Sequence, residues 1–184
     1  NGGVTLGSRR LSIVDLSDDS QPMYNEDGSV VIVFNGEIYN FMDLRDELIA
    51  KGHIFKTHCD TEVIIHGYEE WGKKIAEKLR GMFAFVIWDK KTNVLYGARD
   101  PFGIKPFYYT KVKSGLVFGS EIKSFLEHPD FKPEVNENAL RPYLTFQYSS
   151  LEETFFKGVF KLPPTHYFTY SGGKMEKTRY FDFD

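Results

Sequence analysis

Met82-Phe83-Ala84-Phe85-Val86-Ile87-Trp88 is an unbroken apolar run, closed by the polar turn Asp89-Lys90-Lys91-Thr92-Asn93. A strand with one wet face alternates polar and apolar residues, so a run without alternation predicts a strand covered on both faces. Val30-Val31-Ile32-Val33-Phe34, entered through the turn signal Asn25-Glu26-Asp27-Gly28, is a second run of the same kind. Residues 94–98, 107–110 and 116–118 are shorter strand segments with Gly and Ser in their links, and they predict an antiparallel meander. Between the strands lie helical signals. Asn40 can cap a helix reaching Lys51, with Asp43 in its first turn and Leu44 and Leu48 on one face. Asp60 or Thr61 can cap the next, in which Ile64, Tyr68 and Trp71 recur at helical spacing. Ile75, Ala76 and Leu79 mark a further short helix, residues 137–143 carry a weaker pattern, and Ser171-Gly172-Gly173 makes the turn of a closing hairpin. Doubly covered antiparallel strands with intervening helices give an α+β fold, its sheets sandwiched between helical layers.

Composition excludes several classes of function. At 184 residues, 41% of them hydrophobic and 27% charged, the chain suits one compact domain with a substantial core. A net charge of −3 argues against a nucleic-acid-binding surface. No apolar run approaches the ~20 residues needed to cross a membrane. A lone cysteine, Cys59, rules out an internal disulfide framework and fits a reducing cytoplasm. Asn1 is not an initiator Met, and both termini read like the interior of a fold, which predicts a native chain longer than these residues.

Three features carry chemistry. Arg9-Arg10 enters the strand-like segment Leu11-Ser12-Ile13-Val14, where an Arg can grip a carboxylate bidentately or serve as a plain surface charge. Phe34-Asn35-Gly36-Glu37 sits where an apolar strand ends. There the Asn amide and a closely approaching Gly N–H could donate to a developing oxyanion, or simply make a turn. Cys59-Asp60-Thr61-Glu62 opens a helix, with Asp60 as a candidate N-cap. Neighbouring carboxylates oppose a thiolate at Cys59, which reads as a small core hydrophobe. The five histidines show no metal-ligand spacing, so no metal site is expected.

In combination these residues resemble a family. Arg10-Leu11-Ser12-Ile13-Val14-Asp15, Phe34-Asn35-Gly36-Glu37-Ile38-Tyr39-Asn40 and Asp60-Thr61-Glu62-Val63-Ile64 occur in order. Gly81-Met82-Phe83-Ala84-Phe85, Arg99-Asp100-Pro101-Phe102-Gly103-Ile104-Lys105-Pro106 and Phe118-Gly119-Ser120-Glu121-Ile122-Lys123 follow them. Together they are similar to the glutaminase domain of glutamine-hydrolysing asparagine synthetases, a class II glutamine amidotransferase of the N-terminal-nucleophile type. Nearly the whole chain is covered.

The resemblance implies a four-layer αββα sandwich with antiparallel sheets, incomplete here, and hydrolysis of glutamine to glutamate and ammonia. It implies Arg10 on the substrate's α-carboxylate and Asp60 on its α-ammonium group. Leu11, Ser12, Ile13 and Val14 would line the pocket by their backbones, and Glu37 would orient the substrate. Asn35 and Gly36 would form the oxyanion hole. The family's nucleophile is an N-terminal Cys whose own amine, with an ordinary pKa of about 7.7–8.0, is the base. No such Cys stands at position 1, so this polypeptide alone is expected not to turn glutamine over. Residues 1–160 would be a partial amidotransferase domain, and 161–184 a closing hairpin leading toward a synthetase domain acting in cis. That further domain would use ATP and Mg²⁺, whereas this one needs no cofactor. An open sheet edge beside Arg10 would invite a homodimer. The alternatives are the glutaminase half of another amide-forming synthetase, or a glutamine-binding remnant without catalysis.

Overall fold

The computed structural model describes residues 3–8, 20–149 and 151–182. Among them, two antiparallel sheets pack face to face. The larger contains β1 (Met23–Tyr24), β2 (Val30–Ile38), β3 (Gly81–Asp89), β4 (Val94–Arg99), β8 (His166–Ser171) and β9 (Lys174–Arg179), in that spatial order. The smaller sets β5 (Tyr108–Val112) between β6 (Gly115–Gly119) and β7 (Val159–Lys161).

Strand β3 explains why its sequence never alternates. Phe83, Phe85 and Ile87 point to one side, where they meet Leu44 and Leu48 of α1 (Phe41–Ala50), Ile64 of α2 (Asp60–Trp71) and Ile75 of α3 (Ile75–Lys78). Ala84 and Val86 point to the other side, against Phe107, Tyr109, Leu162 and Phe168 between the sheets. Both faces are therefore dry, and every position must be apolar. On the outer face of the smaller sheet, the 3₁₀ turn Ile122–Glu127 buries Phe125 with Phe131 and Val159, and α4 (Glu137–Phe146) follows. The order helices, sheet, sheet, helical turns is the expected α+β sandwich.

Three local expectations are corrected. The meander breaks after β4, which pairs with β3 and β8 and not with β5. The link between them, residues 100–107, carries the chain from one sheet to the other, so nearness in sequence does not become pairing. Asn40 makes no side-chain cap for α1; its amide instead donates to Lys78 O and its carbonyl accepts from Arg80 N–H, tying that helix to the entry of β3. Cys59, not Asp60 or Thr61, is the N-cap residue of α2, and it is half-buried rather than core.

The crossing link is built by adjacent opposite charges. Arg99 donates to the carbonyls of Gly103, Lys105 and Leu162, each at 2.7 Å. Asp100, fully buried, accepts four backbone N–H bonds: Phe102 and Ile104 on Oδ1, Phe83 and Lys105 on Oδ2. One side chain thus takes the loop's acceptors and the next takes its donors, so a buried irregular segment keeps its backbone satisfied. No helix among the described residues is long and apolar enough to cross a membrane.

Candidate active site

Three of the expected residues, Asn35, Gly36 and Asp60, fall at the end of β2, along its edge away from β3. In an antiparallel ladder, backbone N–H groups alternate between the two neighbouring strands. Phe34 N–H leaves the ladder and donates to Gln21 Oε1 at 2.7 Å, and Ile38 N–H donates to Asp60 Oδ2 at 2.8 Å. Gly36 lies midway between them, so the same alternation sends its N–H to this edge rather than into β3. The register agrees, since Phe34, Gly36 and Ile38 face Phe85, Phe83 and Gly81, and Phe83 N–H turns the other way to Asp100.

Glycine at position 36 is a steric requirement. A Cβ there would stand 2.1 Å from Met82 O and 2.8 Å from the Phe83 Cα. Pairs of this kind bring Cα atoms to about 4.5 Å, leaving no room for a side chain turned toward the partner's backbone.

Asn35 belongs to the opposite face, the one turned toward the smaller sheet together with Val33. Its Nδ2 donates to Ser120 Oγ at 3.3 Å, just past the end of β6. Ser120 was not among the expected site residues, although it lies within the quoted Gly119-Ser120-Glu121 segment; only the packing of the two sheets makes it a neighbour of Asn35. Glu37 follows on an exposed stretch of the same strand. Asp60 opens α2, where the positive end of the helix dipole favours its carboxylate. Arg10, Leu11, Ser12, Ile13 and Val14 lie outside the described residues.

Cys59 sits one residue from Asp60, its Sγ 3.1 Å from Thr57 Oγ1. The 56–62 turn is organised by Glu62, which is buried and accepts from Lys56 N–H, Thr57 N–H and the Thr57 hydroxyl at 2.6–2.7 Å. Burial pushes this carboxylate up, but the three donors outweigh it and hold it below its ordinary range. The turn that presents Asp60 is therefore fixed by a buried anion.

The Gly36 N–H and the Asp60 carboxylate thus lie along one edge of β2, and the Asn35 amide lies on the adjoining face toward the smaller sheet. Such a set can stabilise a developing oxyanion at one point and hold a cation at another. Comparison with known proteins gives the chain its family. Residues 1–181 match the family model described as glutamine amidotransferase domain, and the chain belongs to that family.

Among its relatives are two proteins of Bacillus subtilis strain 168. Asparagine synthetase [glutamine-hydrolyzing] 1 is 48% identical over 166 residues, covering 90% of this chain and 26% of that protein. Asparagine synthetase [glutamine-hydrolyzing] 3 is 43% identical over 185 residues, covering 98% and 30%. The chain thus corresponds to the glutaminase-type portion of asparagine synthetase relatives, and spans less than a third of their length. A solved structure of glutamine phosphoribosylpyrophosphate amidotransferase from B. subtilis superposes with a TM-score of 0.61 at 20% identity, covering 88% of this chain and 32% of that one. The two share their fold, antiparallel sheets packed face to face with helices outside them.

Proposed function

We propose that the β2 edge binds glutamine as the substrate of the glutaminase half of a glutamine-dependent asparagine synthetase. The observation that carries this reading is the spacing of the edge. Gly36 N–H and Ile38 N–H are two residues apart, roughly 7 Å along a strand, and the second of them carries the Asp60 carboxylate. Glutamine places its side-chain amide carbon four bonds from its α-nitrogen, a comparable span. Its amide oxygen then meets Gly36 N–H and the Asn35 amide while its ammonium group meets Asp60.

Arg10 grips the α-carboxylate, backbone groups of Leu11, Ser12, Ile13 and Val14 line the pocket, and Glu37 orients the substrate. Asn35 and Gly36 act as oxyanion donors, which pay most in the transition state, when the amide carbon turns tetrahedral and its oxygen takes up charge. The N-terminal Cys of the family attacks as its thiolate, its own α-amine takes the thiol proton and passes it to the leaving nitrogen, ammonia departs, and water hydrolyses the thioester. Cys59 is not that nucleophile, since its nitrogen is locked in a peptide bond and its thiol faces Thr57. The ammonia passes to an aspartate activated with ATP and Mg²⁺ by a synthetase domain in cis. The apolar residues that α4 leaves in solvent, Leu144 at 78% and Phe146 at 75% exposure, suit a surface covered by that domain. A sequence with Cys59 as its lone cysteine suits a reducing cytoplasm.

Titration calorimetry of the 184-residue chain with glutamine tests the reading. Glutamine binds, and neither asparagine, one methylene short, nor a glutamine lacking its α-amino group does so comparably. Asp60→Asn weakens binding roughly tenfold to a hundredfold, the ~1.5–3 kcal/mol of a charged hydrogen bond. Equal affinity for glutamine in the parent chain and in Asp60→Asn would refute the assignment.

A further inference from the structure

Spacing alone gives no metal motif, because the two histidines that meet in the fold come from different elements. His53 lies in the turn after α1, and His66 on the buried face of α2. Their ring centroids are 5.1 Å apart. Glu69, one turn further along α2, places Oε2 at 3.0 Å from His66 Nδ1. One ligand-capable atom from each of His53, His66 and Glu69 lies within 4.8 Å of the other two.

The surroundings of these three residues are built. Glu69 Oε1 accepts from Asn25 Nδ2 at 2.7 Å, and Asn25 is itself buried and held through its Oδ1 by Val30 N–H. His53 Nε2 lies 3.5 Å from Glu70 Oε2, and Glu70 is paired with Lys51 at 2.9 Å. The outer atoms of both more exposed residues are thereby occupied, which is how second-shell groups orient metal ligands. His66 is only 2% exposed, and its Nε2 makes no hydrogen bond. That nitrogen lies 3.6 Å from Glu62 Oε1 and 3.8 Å from Glu26 Oε1. A buried imidazole ringed by Glu26, Glu62 and Glu69, with a second imidazole beside it, is an environment short of positive charge.

We propose that His53, His66 and Glu69 form a binding site for one divalent transition-metal cation of the zinc class, with water completing the coordination. Two imidazoles and a carboxylate are a donor set that suits zinc, with bonds of about 2.0–2.2 Å. The ligand atoms, within 4.8 Å of one another, close to the roughly 3.4 Å edge of such a tetrahedron through rotation of the partly exposed His53 and Glu69 side chains. The ion would tie α2 to the turn after α1, and through Asn25 to the turn before β2. Its role is structural, and it lies outside the Asn35–Asp60 edge.

The experiment is titration of the chelator-treated 184-residue chain with Co²⁺ and then Zn²⁺, followed by visible absorption, calorimetry and thermal unfolding. Expected are saturation at one ion per chain, a Co²⁺ ligand-field spectrum abolished by one equivalent of Zn²⁺, and a melting temperature that rises with Zn²⁺. His53→Gln and Glu69→Gln, chosen because both side chains are partly exposed and spare the buried His66, each weaken binding at least tenfold and cancel the thermal shift. Cys59→Ser and His58→Gln leave binding unchanged. Absence of stoichiometric saturation overturns the proposal, as does binding that survives both ligand substitutions or is lost in Cys59→Ser. A parent chain whose melting temperature Zn²⁺ does not move overturns it as well.

Discussion

Asp100→Asn is the sharpest test of how the two sheets are joined. The carboxylate accepts four backbone N–H bonds at 2.9–3.3 Å with no exposure to solvent. An asparagine is nearly the same shape but replaces one acceptor oxygen with an NH₂ donor. Two of the four N–H groups then face another donor in a site that excludes water. Each buried donor left unsatisfied costs about 1–3 kcal/mol, so the substitution costs roughly 3–5 kcal/mol. That is a large share of the ~5–15 kcal/mol stabilising an ordinary domain. At about 2–4 °C per kcal/mol for a chain of this size, the melting temperature falls by roughly 6–20 °C. Urea unfolding followed by tryptophan fluorescence measures the change, and amide exchange locates it. Ile104 and Lys105 lose protection first if the loop opens locally, before the β2–β3 ladder. A loss below about 1 kcal/mol, or exchange that stays slow at Ile104 and Lys105, would show that the carboxylate does not hold the link.

Arg99→Lys tests the other half of the clamp: an ammonium cannot span the three carbonyls that the guanidinium reaches, and about 2 kcal/mol of stability is lost in the same unfolding assay. Glu62→Gln costs about 2–3 kcal/mol near neutral pH. Because the folded-state pKa of Glu62 lies below its ordinary 4.5, its contribution is present above that value and fades as pH falls through the folded pKa, so the stability curves of parent and variant converge in acid. Gly36→Ala forces a methyl against Met82 O and the Phe83 Cα, and glutamine affinity drops tenfold or more while most of the fold persists; calorimetry alongside circular dichroism checks both parts.

Much of this was legible in the sequence because it depends on local pattern. The doubly covered strands β2 and β3 announce themselves by lack of alternation, and Asn35-Gly36 stands at the end of one of them. The helices α1 and α2 show their buried stripes at Leu44, Leu48 and Ile64. What was not legible is set by packing between distant segments. Nothing near residue 94 says that β4 prefers β8 to β5, since that choice follows from the loop clamp at Arg99 and Asp100. The reach of Asp60 back to Ile38 spans 22 residues, and the pairing of Asn35 with Ser120 spans 85. His53 and His66 share no motif, and the burial that makes His66 unusual is a property of the folded helix layer alone.

The clamp and the site are mechanically one object, and Phe83 is the link between them. Its N–H and C=O are both engaged by Asp100, which fixes the position of β3 at that residue. Directly across the ladder lies Gly36, so close that a single added carbon would collide with the Phe83 Cα. The Gly36 N–H therefore points where it does because β3 is held from behind by a buried carboxylate on the next connection. On the other side of β2, Asp60 holds Ile38 N–H from a turn that Glu62 keeps rigid. An oxyanion donor is worth most when it needs no reorganisation as charge develops. Two buried anions, neither of them placed to touch a substrate at this edge, supply that rigidity. A substitution at Asp100 mild enough to leave the chain folded should for this reason lower glutamine affinity as well as stability, whereas an equally destabilising truncation of Phe125, under the smaller sheet, should lower stability alone.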